Sequence, residues 1–205
     1  MIENILPSVQ TKIHFSKGLL SSSGLVQHCT ALALTKCLVK FQAVDAELQK
    51  VAFALEEDEE DGQWSKRLKE LAQEVRRRVP DFQVVLAFSH QKQSVVPGGS
   101  TLQSNPTKIA LLAESAQRLL WLYHRSLPSM VAEARFEFGK LLQTFTIEGG
   151  LSDQAEDAAS RLYRVQQLHI LKLLNESDQF VWTTKIGTFE VYIQFTPTSA
   201  TLQDR

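Results

Sequence analysis

Cysteine is scarce in this sequence: Cys29 and Cys37 are its two copies. If both lie on one helix, their offset corresponds to roughly 12 Å of axial rise. That is more than a disulfide spans, so a reduced pair is expected, as in a cytosolic or nuclear protein. No apolar run approaches the length of a membrane span, and no membrane partner is expected. No charged segment leads into an apolar one at the start, so no secretory signal is expected. Asn175-Glu176-Ser177 matches a glycosylation sequon and is then a chance match.

Catalytic signatures are missing as well. His14, His28, His90, His124 and His169 are scattered, with no HExxH and no cysteine–histidine spacing that would hold zinc. His28 and Cys29 are adjacent, but neighbours on a helix point about 100° apart and cannot form a nucleophile–base pair. Pro97-Gly98-Gly99-Ser100 lacks the lysine and hydroxyl of a phosphate-binding loop and a strand before it. No carboxylates are paired for acid–base work. These absences predict a protein that is not an enzyme and has no cofactor, no metal and no small-molecule substrate.

What the chain does have is helical pattern. Hydrophobic residues make up 43% and charged residues 22%, enough of each for an ordinary packed core. Ile5–Leu20 reads as a short helix with Pro7 in its first turn. Ser21-Ser22-Ser23-Gly24 breaks the chain and offers capping hydroxyls. From Leu25 to about Leu55 one long helix follows. Leu34, Leu38, Phe41, Val44, Leu48, Val51 and Leu55 recur on one face. Leu25, Leu32 and Val39 repeat every seven residues on nearly the opposite side. That second stripe predicts a helix covered on two sides in its first half.

Trp64–Val79 is the next expected helix, with Trp64, Leu68, Leu71 and Val75 inward and Pro80 ending it. The run FQVVLAF within Asp81–His90 fits a short helix or a buried strand. Residues 91–107 read as a loop. Ile109–Leu127 and Met130–Phe145 form a helical hairpin hinged at Pro128, and Ser152 is placed to cap a helix over Asp153–Leu174. Alternation at Phe189, Val191, Ile193 and Phe195 suggests a strand, which could pair with Phe180–Thr184 as a small β-hairpin over 180–196. The chain is thus expected to be one mainly α domain over 1–205. Its expected architecture is an armadillo- or HEAT-like α-solenoid of helical hairpins, with a closed helical bundle as the alternative.

Charge is unevenly placed. Six consecutive acids, Glu56–Asp61, form a solvated linker over 56–63, so the rest of the chain is mildly basic against a formal net charge of −1. Lys66, Arg67, Lys69, Arg76, Arg77 and Arg78 gather on one helix, diluted by Glu70 and Glu74. They are the candidate RNA- or partner-binding residues, a phosphate-contacting strip. A solvated helix face, with Arg76–Arg78 set against the helix macrodipole, is the commoner meaning of such a run. Charge reversal at Arg76, Arg77 and Arg78 is expected to lower RNA affinity without unfolding the domain. Tyr123 and Arg125 are a weaker candidate pair for stacking on a base.

Four stretches carry a family resemblance: Leu25–Val44 (LVQHCTALALTKCLVKFQAV), Arg78–Phe88 (RVPDFQVVLAF), Leu119–Leu127 (LLWLYHRSL) and His169–Gly187 (HILKLLNESDQFVWTTKIG). In order, they resemble the N-terminal region of the nucleolar pre-ribosomal-associated protein family, very large scaffolds of early 60S subunit assembly. The resemblance implies an armadillo-type fold and a nucleolar location. It also implies a role in compaction and maturation of pre-60S rRNA, with other assembly factors, a DEAD-box helicase among them, and pre-rRNA as contacts. It carries no catalytic residues, and family members are many times longer than this chain.

Overall fold

The computed structural model describes residues 2–6, 8, 10–58, 62–93, 105–137, 141 and 158–177. Among them the regular structure is entirely helical. A 3-10 turn, Ile2–Asn4, precedes α1 (Thr11–Leu19), α2 (Gly24–Ala54), α3 (Gln63–Arg78) and α4 (Phe82–Gln93). Then come α5 (Pro106–Ser126), α6 (Pro128–Glu133) and α7 (Ala158–Glu176). The expected β-hairpin over 180–196 and the cap at Ser152 lie outside the described residues.

Local chemistry sets several boundaries. The first helix starts at Thr11 rather than in the turn of Pro7. Ser23 sits at the N-cap of α2 without a side-chain capping bond, so the serines break the chain but do not cap the helix. α2 ends in a Schellman motif: the Glu56 N–H donates to the Phe53 carbonyl and the Glu57 N–H to that of Ala52, both at 3.1 Å. Glu56 holds the left-handed position with φ 52°, where glycine is the usual occupant. The run FQVVLAF resolves as helix. Phe82, Val85, Leu86 and Ser89 are all buried, a spacing of three and four that only a helix brings to one side.

The loop expected over 91–107 is trimmed at both ends, because α4 runs on to Gln93 and α5 begins at Pro106. Asn105 caps α5, its Oδ1 accepting from the Thr107 N–H at 3.0 Å, and Pro106 fills the first turn. The hairpin arm expected over Met130–Phe145 breaks after Glu133, where the short α6 ends, and most of its second half lies outside the described residues. Arg135, with φ 49°, turns the chain after α6.

Helix contacts join elements three apart in sequence as well as immediate neighbours. α1 packs on α2, α3 and α4, and α2 also packs on α3 and α5. α5 lies at the centre, touching α2, α4, α6 and α7. The salt bridge Lys12–Asp81 (2.7 Å) links α1 to the start of α4, and Arg76–Glu133 (2.6 Å) links α3 to α6. Gly18 permits the close crossing of α1 and α2, since a Cβ there would lie 2.3 Å from Thr30 Oγ1. The core combines Leu34, Leu38 and Phe41 of α2 with Val85 and Phe88 of α4 and Leu119, Leu120 and Tyr123 of α5.

Candidate partner-binding face

The predicted cationic strip is largely spent on the fold itself. Arg78 is buried at 8% exposure; its guanidinium donates to the Leu6 carbonyl and lies 3.6 Å from Glu74. Arg76 Nη2 donates to both carboxylate oxygens of Glu133 at 2.6 and 2.8 Å, and Arg77 pairs with Glu74 at 2.7 Å. Lys66, Arg67 and Lys69 are exposed one helical turn or more away. The six cations therefore do not form one open phosphate-binding strip. Charge reversal at Arg78 would bury a carboxylate beside Glu74, so the expectation that the triple reversal leaves the domain folded is corrected.

The stripe Leu25, Leu32 and Val39 is open, not covered. These residues are 72%, 41% and 47% exposed, and Cys29 and Lys36 between them are exposed as well. The main face behaves as its period predicts from Leu34 to Leu48, then opens at Val51 and Leu55. α2 is consequently buried along one side, and its second apolar side faces solvent.

The geometry of the neighbours defines that open side. α2 meets α5 through His28, whose Nδ1 is 3.1 Å from Ser115 Oγ, and through Gln42, whose Nε2 donates to Ser126 Oγ at 2.8 Å. The open stripe lies about 60° round α2 from these contacts, at 100° per residue. On α5 the residues between the α2-facing and α7-facing sides include Arg118 and Arg125, on the side away from α4. Lys172 of α7 and Arg125 both approach the ring of Trp121, at 4.9 and 5.8 Å from its centroid.

Carboxylates are nearly excluded from this face. Gly24–Val44 of α2 contains none, α5 contains only Glu114, and α7 only Glu176. Glu114 is turned inward at 2% exposure. Its Oε1 accepts from Arg118 Nε at 2.8 Å and from His169 Nε2 at 3.1 Å. Burial works against its charge, but the hydrogen bonds from His169 and Arg118, with their positive charge, prevail. They hold the Glu114 carboxyl below the ordinary glutamate range. Trp121 stacks on His169 and donates from Nε1 to Glu176 at 3.1 Å, so the second acid is engaged too. Lys36, Lys40, Lys108, Arg125 and Lys172 are left facing outward.

Two histidine pairs flank α5 without forming a catalytic array. Ser115 donates its single hydroxyl proton to the Leu111 carbonyl at 2.8 Å, so toward His28 its oxygen is the acceptor. That is the reverse of base activation. Glu114 faces α7, on another side of α5, and does not orient His28. Burial pushes the Cys37 thiol up, outweighing the nearby Lys40 charge, so it stays protonated at neutral pH. Tyr123 is core: its hydroxyl donates to the Pro80 carbonyl at 3.0 Å, which removes it as a base-stacking group. Burial, with the Asp81 charge, drives its pKa well upward.

A groove of about 530 Å³ between α4 and the turn after α6 is lined by Gln83, His90, Arg135, Phe136 and Glu137 with apolar neighbours. Among the described residues that line it there is no serine, cysteine, threonine or lysine. Among the described residues no cluster of potential metal ligands occurs, and no helix is long and apolar enough to cross a membrane.

No protein-family model, curated protein or solved structure matches the chain. The open face was only half visible in sequence. The seven-residue stripe was plain, but its exposure depends on where α5 and α7 dock. The inward turn of Glu114 toward His169 spans 55 positions and leaves no local signal.

Proposed function

We propose that this chain is a non-catalytic helical scaffold module of early 60S ribosomal subunit assembly. In this reading it works in the nucleolus and holds other assembly factors, a DEAD-box helicase among them, while pre-rRNA is compacted and matured. The observation that carries the scaffold part is the open apolar stripe of α2, a surface whose chemistry suits protein contact. The assembly part rests on the resemblance of the four stretches. Two structural contacts support treating those stretches as one packing unit. The Tyr123–Pro80 hydrogen bond joins the second stretch to the third, and the Trp121–His169 stack joins the third to the fourth.

An armadillo-like architecture belongs to the same proposal. The pairings α1 with α4, α2 with α5 and α3 with α6 follow the order expected of two stacked three-helix units. A closed bundle is the competing arrangement. A generic adaptor without RNA contact is the competing function, favoured over direct RNA binding by the internal pairing of Arg76, Arg77 and Arg78.

The test is sedimentation of the tagged protein through a gradient of nuclear extract. The proposal expects co-migration with early large-subunit precursors, and accumulation of large-subunit but not small-subunit rRNA precursors on depletion. Sedimentation away from pre-ribosomes would overturn the assembly reading. RNA crosslinks mapped to peptides would separate RNA contact from protein-only contact.

A further inference from the structure

The exposed side of α2 has a finer pattern than its three large residues. Leu25, Cys29, Leu32, Lys36, Val39 and Ala43 succeed one another at offsets of four, three, four, three and four, and all are exposed. That alternation is the seam of a two-helix coiled coil, a continuous row that a second helix can pack against. Five members are apolar or small, and Lys36 is the exception. A lysine within such a seam favours a partner that places a carboxylate opposite it.

The surroundings point the same way. Lys40 flanks the seam on α2, and Arg125 and Lys172 lie beyond it on α5 and α7. The acids of these helices are withdrawn into contacts with His169, Arg118 and Trp121. A helix laid along the seam would have its apolar side on Leu25, Leu32 and Val39 and its flanks among cations. An RNA strand would satisfy the cations but leave the aliphatic row without a use, and Trp121 is already covered by His169, Arg125 and Lys172.

We infer that the α2 seam, with Lys36 in it and a rim of Lys40, Arg125 and Lys172, docks an acidic amphipathic helix of another protein. The inference rests on the scaffold reading and supplies the chemistry of one of its partners. The partner helix carries aliphatic residues at heptad spacing and glutamate or aspartate on the flanking positions, the helix-in-groove mode of recognition.

The purified full chain tests this by fluorescence anisotropy with two synthetic heptad peptides and oligouridine. Both peptides have leucine in the seam; one has glutamate and the other lysine on the flanks, so each repels its own copies. The glutamate peptide is expected to bind at least about tenfold more tightly than the lysine peptide. Leu32→Ser and Lys36→Glu should each weaken it by about tenfold, the effect of a lost seam contact or a reversed charge. Both residues are exposed, so the variants should melt like the parent, and circular dichroism checks that.

Equal binding of the two peptides, or none, overturns the inference. So does tight oligouridine binding that Lys36→Glu weakens and Leu32→Ser does not, which would make the face a nucleic-acid surface. Failure here with retained pre-ribosome co-sedimentation removes the docking helix alone. Peptide binding without co-sedimentation removes the ribosomal reading and keeps the surface.

Discussion

Glu114 shows how one residue links the core to the surface charge. A buried carboxylate survives because Arg118 pairs with it and His169 hydrogen-bonds to it, so it adds no free negative charge to the outer face. Its folded pKa lies below the unfolded value, so it adds stability that is fully present above the unfolded glutamate value of about 4.3. That contribution fades as pH falls through the lower, folded value. Acid titration of stability should therefore be steeper in the parent than in Glu114→Gln, where this carboxyl no longer titrates. At neutral pH the variant should lose about 1.5–3 kcal/mol, the scale of hydrogen bonds to charged groups. Urea melts across pH check both, and parallel pH profiles would show that Glu114 is not held as described. Glu56 is the opposite case, a side chain at odds with its backbone. A non-glycine residue in the left-handed region costs about 1 kcal/mol, and an acid at a helix C-terminus opposes the macrodipole. Glu56→Gly is expected to raise stability by about 0.5–1 kcal/mol, read as an increased melting temperature; a lower one would deny the Schellman geometry.

At the scale of the element, α2 separates burial from hydrophobicity. Its two apolar stripes look alike in sequence, yet Leu38 is fully buried and Leu32 is 41% exposed. Leu38→Ala should cost about 2–5 kcal/mol, whereas Leu32→Ala should fall within about 0.5 kcal/mol of the parent. Chemical denaturation of the two variants side by side decides this, and a comparable loss at Leu32 would mean that its stripe is covered in solution. The contrast explains what the sequence could convey. The 3.6-residue period placed α2, α3 and α5 to within a few residues, because each has a long run of inward positions such as Leu68, Leu71 and Val75. It could not choose between helix and strand for FQVVLAF, a run too short for its period to decide, whereas the burial of Phe82, Val85 and Leu86 on one side belongs to a helix. Nor could it say which stripe lacked a neighbour, since that depends on how α5 seats against α2 through Ser115 and Ser126. The pairing of the cationic helix face is hidden from the sequence for a related reason. Glu74 is local and visible, but Glu133 and the Leu6 carbonyl reach Arg76 and Arg78 only through the fold.

Across the whole molecule the arrangement of contacts sets how stability is distributed. α5 is flanked by α2, α4, α6 and α7, and its residues from Leu112 to Tyr123 are almost all buried. α3 stands at the edge, with Leu71, Val75 and Arg78 buried and Trp64, Leu68 and Ala72 only partly so. In the proposed arrangement of two stacked three-helix units the α2–α5 junction would be the shared interface, and α3 could open without breaking it. Amide hydrogen exchange should therefore be slowest over Ala31–Phe41 and Leu112–Tyr123. It should be faster in α3 by at least about tenfold, corresponding to an opening free energy lower by about 1.4 kcal/mol. A closed bundle, in which each helix is needed by every other, would instead exchange all core amides at the global unfolding rate. Arg76→Ala sharpens the comparison, because the Arg76–Glu133 pair ties α3 to α6 across the junction. Its loss should speed exchange in α3 while leaving α5 unchanged; equal acceleration in both helices would mean that the two units do not open separately.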